Sequence, residues 1–544
     1  MSLDLSQRRA KLSPMAIQAP NKALMTTTEL EKFVTETFED PAQVDEASLV
    51  RDGYSAKEIF ASPGSRGYTF DDLICLPGAI DFGVDDVSLE SRITRNIRIH
   101  SPFCSSPMDT VTEADMAVGM ALQGGVGILH CHCEIEAQVA MVEHVKRFEN
   151  GFIANPFCMR SDQPIQDLDT LSRDHGISGV PITEDGKIGS RLVGLVEGKL
   201  ADFVEDRSQP LSSIMLSPSQ VTTARHPCTL EEAHAALKSS KSNYLCVLDD
   251  EGKLKSLSTR IDLVKNRDFP NQCQDPSTQS LVVGAAIGSA PAEQERAQAL
   301  VAAGVDIIVV DSRHGDTQEQ VDMIQWLKAT FPTLEVVGGN VATFSQARNL
   351  LEAGVDGLRV GMGVGSISTS QQVKAGGRAQ LSAIYHSALL ARKYDVPVIA
   401  DGGIANTGCA IKALTMGASC VMMGSLLAGV EESPGEYYFQ DGMRLKRYKG
   451  LTVQQVTADP MELGLISGVS GAVVDKGPMR RYVPFLNQSI RHGLQDMGIR
   501  SLRDLKSNLY DGTLRFELRS PAAQKEGRVH DLHMHQQRLF SDGK

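Results

Sequence analysis

The chain reads as an α/β protein, a (β/α)8 TIM barrel with an inserted domain. Short apolar runs rich in Val, Ile and Leu, each ending in Gly, Asp or Ser, recur every 20–40 residues through the second half. They alternate with helical segments such as Ser345 to Ala353 and Ser382 to Lys393. Continuous apolar strands of that kind belong to a parallel sheet buried on both faces. Two further runs lie upstream, and an alternation of eight closes into a barrel more readily than it stays open. The last two runs end in glycine-bearing turns, at the place where barrels commonly hold phosphate.

Residues 1–60 are polar and weakly patterned and read as an N-terminal extension with partial helix. The first part of the barrel spans 61–157, with strands over Ser101 to Ser106 and Gly124 to His130. The gap that follows is too long for a loop. Residues 158–268 hold an internal repeat instead, in which Pro181-Ile182-Thr183-Glu184-Asp185-Gly186-Lys187 is echoed by Val247-Leu248-Asp249-Asp250-Glu251-Gly252-Lys253. Each copy follows an amphipathic helix, so each half reads helix, strand, tight acidic-Gly hairpin, strand. The second part of the barrel, 269–544, supplies six strands, over Leu281 to Gly284, Val305 to Asp311, Leu334 to Asn340, Val355 to Gly361, Val396 to Asp401 and Ala418 to Ser425.

Composition narrows the function. Hydrophobic residues make up 42% of the chain and aromatics only 5%, which calls for an aliphatic core. A net charge of -13 argues against non-specific binding to nucleic acid or to an anionic membrane, since both need a basic footprint. No apolar run reaches the length of a membrane span, and no secretory leader is expected. Ten cysteines without regular spacing read as reduced thiols, so a cytoplasmic location is expected. His130-Cys131-His132-Cys133 has metal-like spacing, but on one strand the four side chains cannot all point one way, so no metal site is expected there.

The chemistry should sit at the strand C-termini. Ala400-Asp401-Gly402-Gly403 and Met423-Gly424-Ser425 offer backbone N–H groups and a hydroxyl to phosphate oxygens. Gly361-Met362-Gly363-Val364-Gly365-Ser366-Ile367-Ser368-Thr369 suits a loop folded against a ligand or ion. Together with Ser106-Pro107-Met108-Asp109-Thr110-Val111-Thr112-Glu113, Gly435-Glu436-Tyr437-Tyr438 and Gly468-Val469-Ser470-Gly471-Ala472-Val473, these segments are similar to IMP dehydrogenases of the eukaryotic kind. The resemblance runs from about Tyr68 to Phe540, and the inserted repeat resembles a tandem pair of CBS modules.

That resemblance implies NAD-dependent oxidation of IMP to XMP, or the related GMP reductase reaction. It implies a purine 5′-monophosphate (IMP, XMP or GMP) held by Ser366, Asp401, Gly402, Gly403, Gly424, Ser425, Tyr448 and Gly450, with Asp401 on the ribose hydroxyls. NAD would meet Asp311, Ser312, Arg313, Asn340, Gly361, Met362 and Gly363. A potassium ion would lie among Gly363, Gly365 and Ser368, completed by the tail Glu526-Gly527-Arg528 of a neighbouring subunit. The CBS pair would take an adenine or guanine nucleotide through Thr259 and Asp262. A homotetramer or octamer is implied, or assembly with an active paralogue.

The sequence departs from the family at successive chemical steps. Its nucleophilic Cys is replaced by Ser368, with Ser370 two residues on. A thiol supplies some anion at neutral pH, whereas an alcohol needs a dedicated base. The flap, about 450–468, is shortened and holds neither Arg nor Tyr. Arg313 stands where the family has Ser, and Arg528 where it has Gly. Two functions follow as expectations: a non-catalytic nucleotide-binding paralogue, or an active dehydrogenase or reductase with a non-standard site.

Overall fold

Eight parallel strands close on themselves in the computed structural model. They are β1 (Phe103–Ser105), β2 (Val126–Leu129), β3 (Val283–Ile287), β4 (Ile307–Asp311), β5 (Glu335–Val341), β6 (Gly357–Val360), β7 (Val398–Asp401) and β8 (Cys420–Met423), with β8 bonded back to β1. The structure describes residues 66–533 apart from 149–151, 154–155, 176, 178, 203, 241, 261–268, 277, 279 and 450–468. The N-terminal extension, Asp262, Gly450 and the flap therefore lie outside the described residues.

Each expected barrel run overlaps its strand, six of the eight containing it whole and β5 passing the expected end by one residue. One is displaced: the third was expected over Leu281 to Gly284, and β3 runs from Val283 to Ile287. The Val282 N–H is drawn to the Cys273 carbonyl outside the barrel, and the fully buried run continues through Ala285, Ala286 and Ile287. Small residues conceal such a strand from a reading based on bulky apolar runs. They are needed inside: a Cβ on Gly284 would stand 2.4 Å from the Cδ1 of Ile128. The interior is filled by aliphatic side chains that include Ile128, Ile307, Val309, Val337 and Ile399, each at most 1% exposed, and burying each contributes about 1.5–3 kcal/mol.

A recurring device sets the bottom of the barrel. The helices Glu293–Ala302 and Phe344–Ala353 both stop at a left-handed glycine, Gly304 (φ +89°) and Gly354 (φ +100°), and Val-Asp follows each. Asp306 and Asp356 reach back to accept an N–H of the preceding strand, from Val283 at 2.7 Å and Val336 at 3.0 Å. Each also pairs with a lysine, Lys146 at 2.6 Å and Lys328 at 2.7 Å.

At the top, buried glutamines tie strand ends together in pairs. Gln320 donates to the carbonyls of Val310 and Gly339, and Gln380 to those of Val360 and Asp401. The floor of the mouth is thereby held rigid.

Between β2 and β3 lie two helix–hairpin units. Helix Ile165–His175 accompanies the antiparallel pair Gly179–Thr183 and Leu192–Glu197; helix Leu230–Ser240 accompanies Tyr244–Leu248 and Leu254–Thr259. After β8 a three-stranded sheet of Tyr438–Gln440, Met443–Lys449 and Ser470–Val474 follows. All ten cysteines are free thiols. Among the described residues no helix is long and apolar enough to cross a membrane.

Candidate active site at the barrel mouth

The strand C-termini open into a cavity of about 480 Å³. Its wall takes Asp311, Ser312 and Arg313 from the end of β4 and Asn340 from β5. The β6 loop gives Gly361, Met362, Gly363, Gly365, Ser366, Ser368 and Ser370, β7 gives Asp401, Gly402 and Gly403, and β8 gives Gly424 and Ser425. Tyr448 closes it from the three-stranded sheet. The described residues expected to meet monophosphate, dinucleotide or nucleophilic chemistry are thus brought to one cavity.

Local geometry explains the glycines. At Gly361 (φ +149°) a Cβ would lie 1.9 Å from the Asp401 carbonyl oxygen, so only glycine lets the β6 loop leave alongside the end of β7. Gly402 and Gly403 both have positive φ, +94° and +75°. The Tyr448 hydroxyl donates to Met108 Sδ at 3.7 Å and lies over Gly424, where a Cβ would come within 2.6 Å of it; burial pushes its pKa up to about 12, although Ser366 and the Ser425 backbone act to lower it, so it stays neutral at physiological pH.

Sequence reasoning missed Arg359. It sits within β6, 6% exposed, where the barrel otherwise places aliphatic side chains. Its guanidinium joins two strand ends, with Nη1 2.5 Å from Asp311 Oδ1 and Nε 2.9 Å from Asp401 Oδ2. Burial alone would lower its pKa, but Asp401 and Asp311 more than offset this and raise it. Asn340 Nδ2 also donates to Asp401 Oδ2, at 2.8 Å. The signal was available: a charged residue inside an otherwise apolar run of a doubly buried strand requires a buried partner.

Ser368 has modest surroundings. Its hydroxyl lies 3.2 Å from that of Ser370, whose N–H is 3.4 Å from Ser368 Oγ. Among the described residues the cavity wall carries no histidine and no lysine. Lys374, six residues on, ends the short helix Ser370–Lys374, is exposed, and does not line the cavity.

The remaining expected groups are spread over several places. The Gly363 carbonyl accepts from Gln371 Nε2 at 2.9 Å and the Gly365 carbonyl from the Ser368 N–H at 3.0 Å. Glu526, Gly527 and Arg528 do not line the cavity of their own chain, and Arg528 pairs with Asp71 at 2.9 Å. One chain by itself therefore does not bring the expected potassium ligands together. Thr259 ends its strand in the insert and does not line the cavity, while in the first copy Glu197 pairs with Lys199. His130 is 3.4 Å from Glu113 and accepts the His132 N–H at 3.1 Å. Among the described residues no group of three or more His, Cys, Asp or Glu side chains could hold a metal.

Fold and site together define a (β/α)8 barrel with a cavity of hydroxyls and glycines over its strand C-termini. Residues 67–530 match the IMP dehydrogenase / GMP reductase domain, and the chain belongs to that family. It is 45% identical to inosine-5′-monophosphate dehydrogenase of Toxoplasma gondii, covering 90% of this chain and all of that protein. It is 42% identical to the enzyme of that name from Trypanosoma brucei brucei, over 90% of this chain and 98% of the relative. The Schizosaccharomyces pombe enzyme is 41% identical, with 90% and 96% covered. Among solved structures, a cysteine-to-alanine variant of Trypanosoma brucei GMP reductase, in complex with guanosine 5′-monophosphate, superposes with a TM-score of 0.79 at 30% identity. That match covers 87% of this chain and 99% of the other.

Proposed function

We propose that this chain binds a purine nucleoside 5′-monophosphate of guanine nucleotide metabolism at the barrel mouth, and that oxidation of IMP through a covalent adduct is lost or greatly slowed. The observation that carries the second half is Ser368. Its hydroxyl bonds to Ser370, on a wall that among the described residues has neither histidine nor lysine, and an alcohol without a base is a poor nucleophile. Phosphate binding is supported by Ser366, Ser425 and Tyr448 lining one cavity with Gly402, Gly403 and Gly424, the Tyr448 hydroxyl lying over Gly424. Asp401 is oriented by Arg359 and Asn340 to accept ribose hydroxyls. The dinucleotide side departs from the family's pattern, with Arg313 in place of a Ser on the wall that NAD⁺ would face. We further propose a homotetramer or octamer in the cytoplasm, with a regulatory nucleotide at the insert.

A second reading, an active NAD-dependent dehydrogenase, is favoured by 41–45% identity to named dehydrogenases over 90% of the chain. An assay for IMP-dependent NADH formation, run beside calorimetry with IMP, GMP and XMP, separates the two. Binding without turnover supports the first reading, and steady turnover supports the second. Silence in both experiments at millimolar nucleotide overturns both.

A further inference from the structure

Lys446 is a buried ion with no part in the nucleotide site as described. It is 2% exposed, and an ammonium is costly to bury unless its protons are taken up. Among the described residues no carboxylate comes within ion-pair distance. Instead Nζ donates to the carbonyls of Val430 (3.0 Å), Glu431 (3.2 Å) and Ser433 (2.6 Å) and to Ser433 Oγ (3.2 Å), and it lies 4.5 Å from the centre of the Tyr437 ring.

Those oxygens belong to the turn that continues directly from Gly424 and Ser425. In that turn the Leu427 and Ala428 N–H groups both donate to the Gly424 carbonyl, Val430 to Leu427, and Ser433 to Val430. Lys476 holds the same segment near its start, with Nζ 3.0 Å from the Leu426 carbonyl. Lys446 itself lies in the strand Met443–Lys449. Two residues further, on the same face by the period of a strand, stands Tyr448, whose hydroxyl lies directly over Gly424, where a Cβ would come within 2.6 Å of it, beside Ser425.

We propose that Lys446 is a positioning residue for phosphate recognition. By locking its strand to the turn after β8, it sets the Tyr448 hydroxyl against Ser425 at the place where a monophosphate would bind. The proposal rests on the nucleotide reading, and the test separates the two. GMP is titrated calorimetrically into the full chain and into Lys446→Met, Tyr448→Phe and the double variant, with thermal melting measured on each. A hydrogen bond to a charged group corresponds to roughly tenfold or more in affinity, so each single variant should weaken GMP binding by about tenfold. The double variant should bind no worse than Lys446→Met, because the lysine acts through the tyrosine. Losses that multiply, or a folded Lys446→Met that binds within twofold of the unmodified chain, overturn the proposal while leaving nucleotide binding intact. Failure of the unmodified chain to bind GMP overturns the nucleotide reading and, with it, the proposal. Should Lys446→Met not fold, Ser433→Ala removes one of the four oxygens. It should weaken GMP binding by about threefold with Tyr448 present and not on the Tyr448→Phe background; equal losses on both backgrounds count against the proposal.

Discussion

On the proposed function, replacing Ser368 with cysteine should give a barrel that reacts with IMP once. The hydroxyl to be replaced lies 3.4 Å from the Ser370 N–H. An ordinary thiol of pKa about 8.5 is roughly 3% thiolate at pH 7, and an N–H donor that lowered this pKa by one unit would raise the fraction to about a quarter. Hydride transfer also needs a dinucleotide opposite, where Arg313 lines the wall, so Arg313→Ser is made in the same chain. The second half of the reaction still lacks a group to activate water. Residues 450–468 contain no Arg and no Tyr, and general-base help is typically worth about 10²–10⁴ in rate. Rapid mixing of the Ser368→Cys/Arg313→Ser protein with IMP and NAD⁺ should therefore give a burst of NADH no larger than the number of sites. A nucleotide-sized mass increase on the protein should accompany it, without steady turnover. Two results would refute the reasoning: steady NADH formation by the unmodified protein at about one per second, a rate within the ordinary enzyme range, or sustained turnover by the double variant with its short flap unchanged.

Arg359→Met leaves Asp311 and Asp401, each 16% exposed at the side chain, without their shared cation. Breaking a buried pair from one side costs about 3–5 kcal/mol, so the melting temperature should fall by several degrees and GMP binding should weaken; an unchanged melt would contradict the bridge. Gly361→Ala places a methyl 1.9 Å from the Asp401 carbonyl oxygen and should weaken GMP binding more than it lowers the melting temperature, because the strain falls on the β6 loop; the reverse order of effects counts against that placement. Burial, followed by its neighbour His130, lowers the pKa of His132. Folding therefore favours the neutral ring, and the associated stability is present above about pH 6.5, the ordinary histidine value, and is lost as pH falls through the lowered folded value. His132→Asn should flatten that part of the acid limb in thermal melts at graded pH, and an identical pH profile would exclude the effect.

Much of the barrel could be read from the chain because its strands are buried on both faces, and uninterrupted runs such as Ile307 to Val310 suit little except a strand of that kind. The phosphate loops were legible for a related reason: a backbone that must approach closely, as at Gly361 and Gly402, admits little except glycine. Arg359 and Lys446 were not legible. Each is a cation whose partners lie on other elements: the ends of β7 and β4, 42 and 48 residues away, for Arg359, and the turn after β8, 13 to 16 residues back, for Lys446. A sequence pattern reports periodicity along one element, whereas burial of a charge is decided by what packs against that element.

The same distinction bears on how a family site could keep its binding half and lose its chemistry. The proposed phosphate cradle is distributed over backbone N–H groups, glycine-permitted turns and hydroxyls, with Tyr448 over Gly424 beside Ser425, and with Lys446 and Lys476 gripping the turn that follows. Altering any one of these disturbs packing as well as binding, so folding itself opposes their replacement. Nucleophilic attack depends on one sulfur atom at position 368, and water activation on one or two side chains of a flap. Neither is a packing requirement of the barrel core, so Ser368 can differ while the cradle around it stays whole. Ser368→Cys should accordingly leave both the melting temperature and GMP affinity nearly unchanged, while Lys446→Met should alter GMP affinity. A large stability loss from Ser368→Cys would show that the two halves of the site are coupled after all.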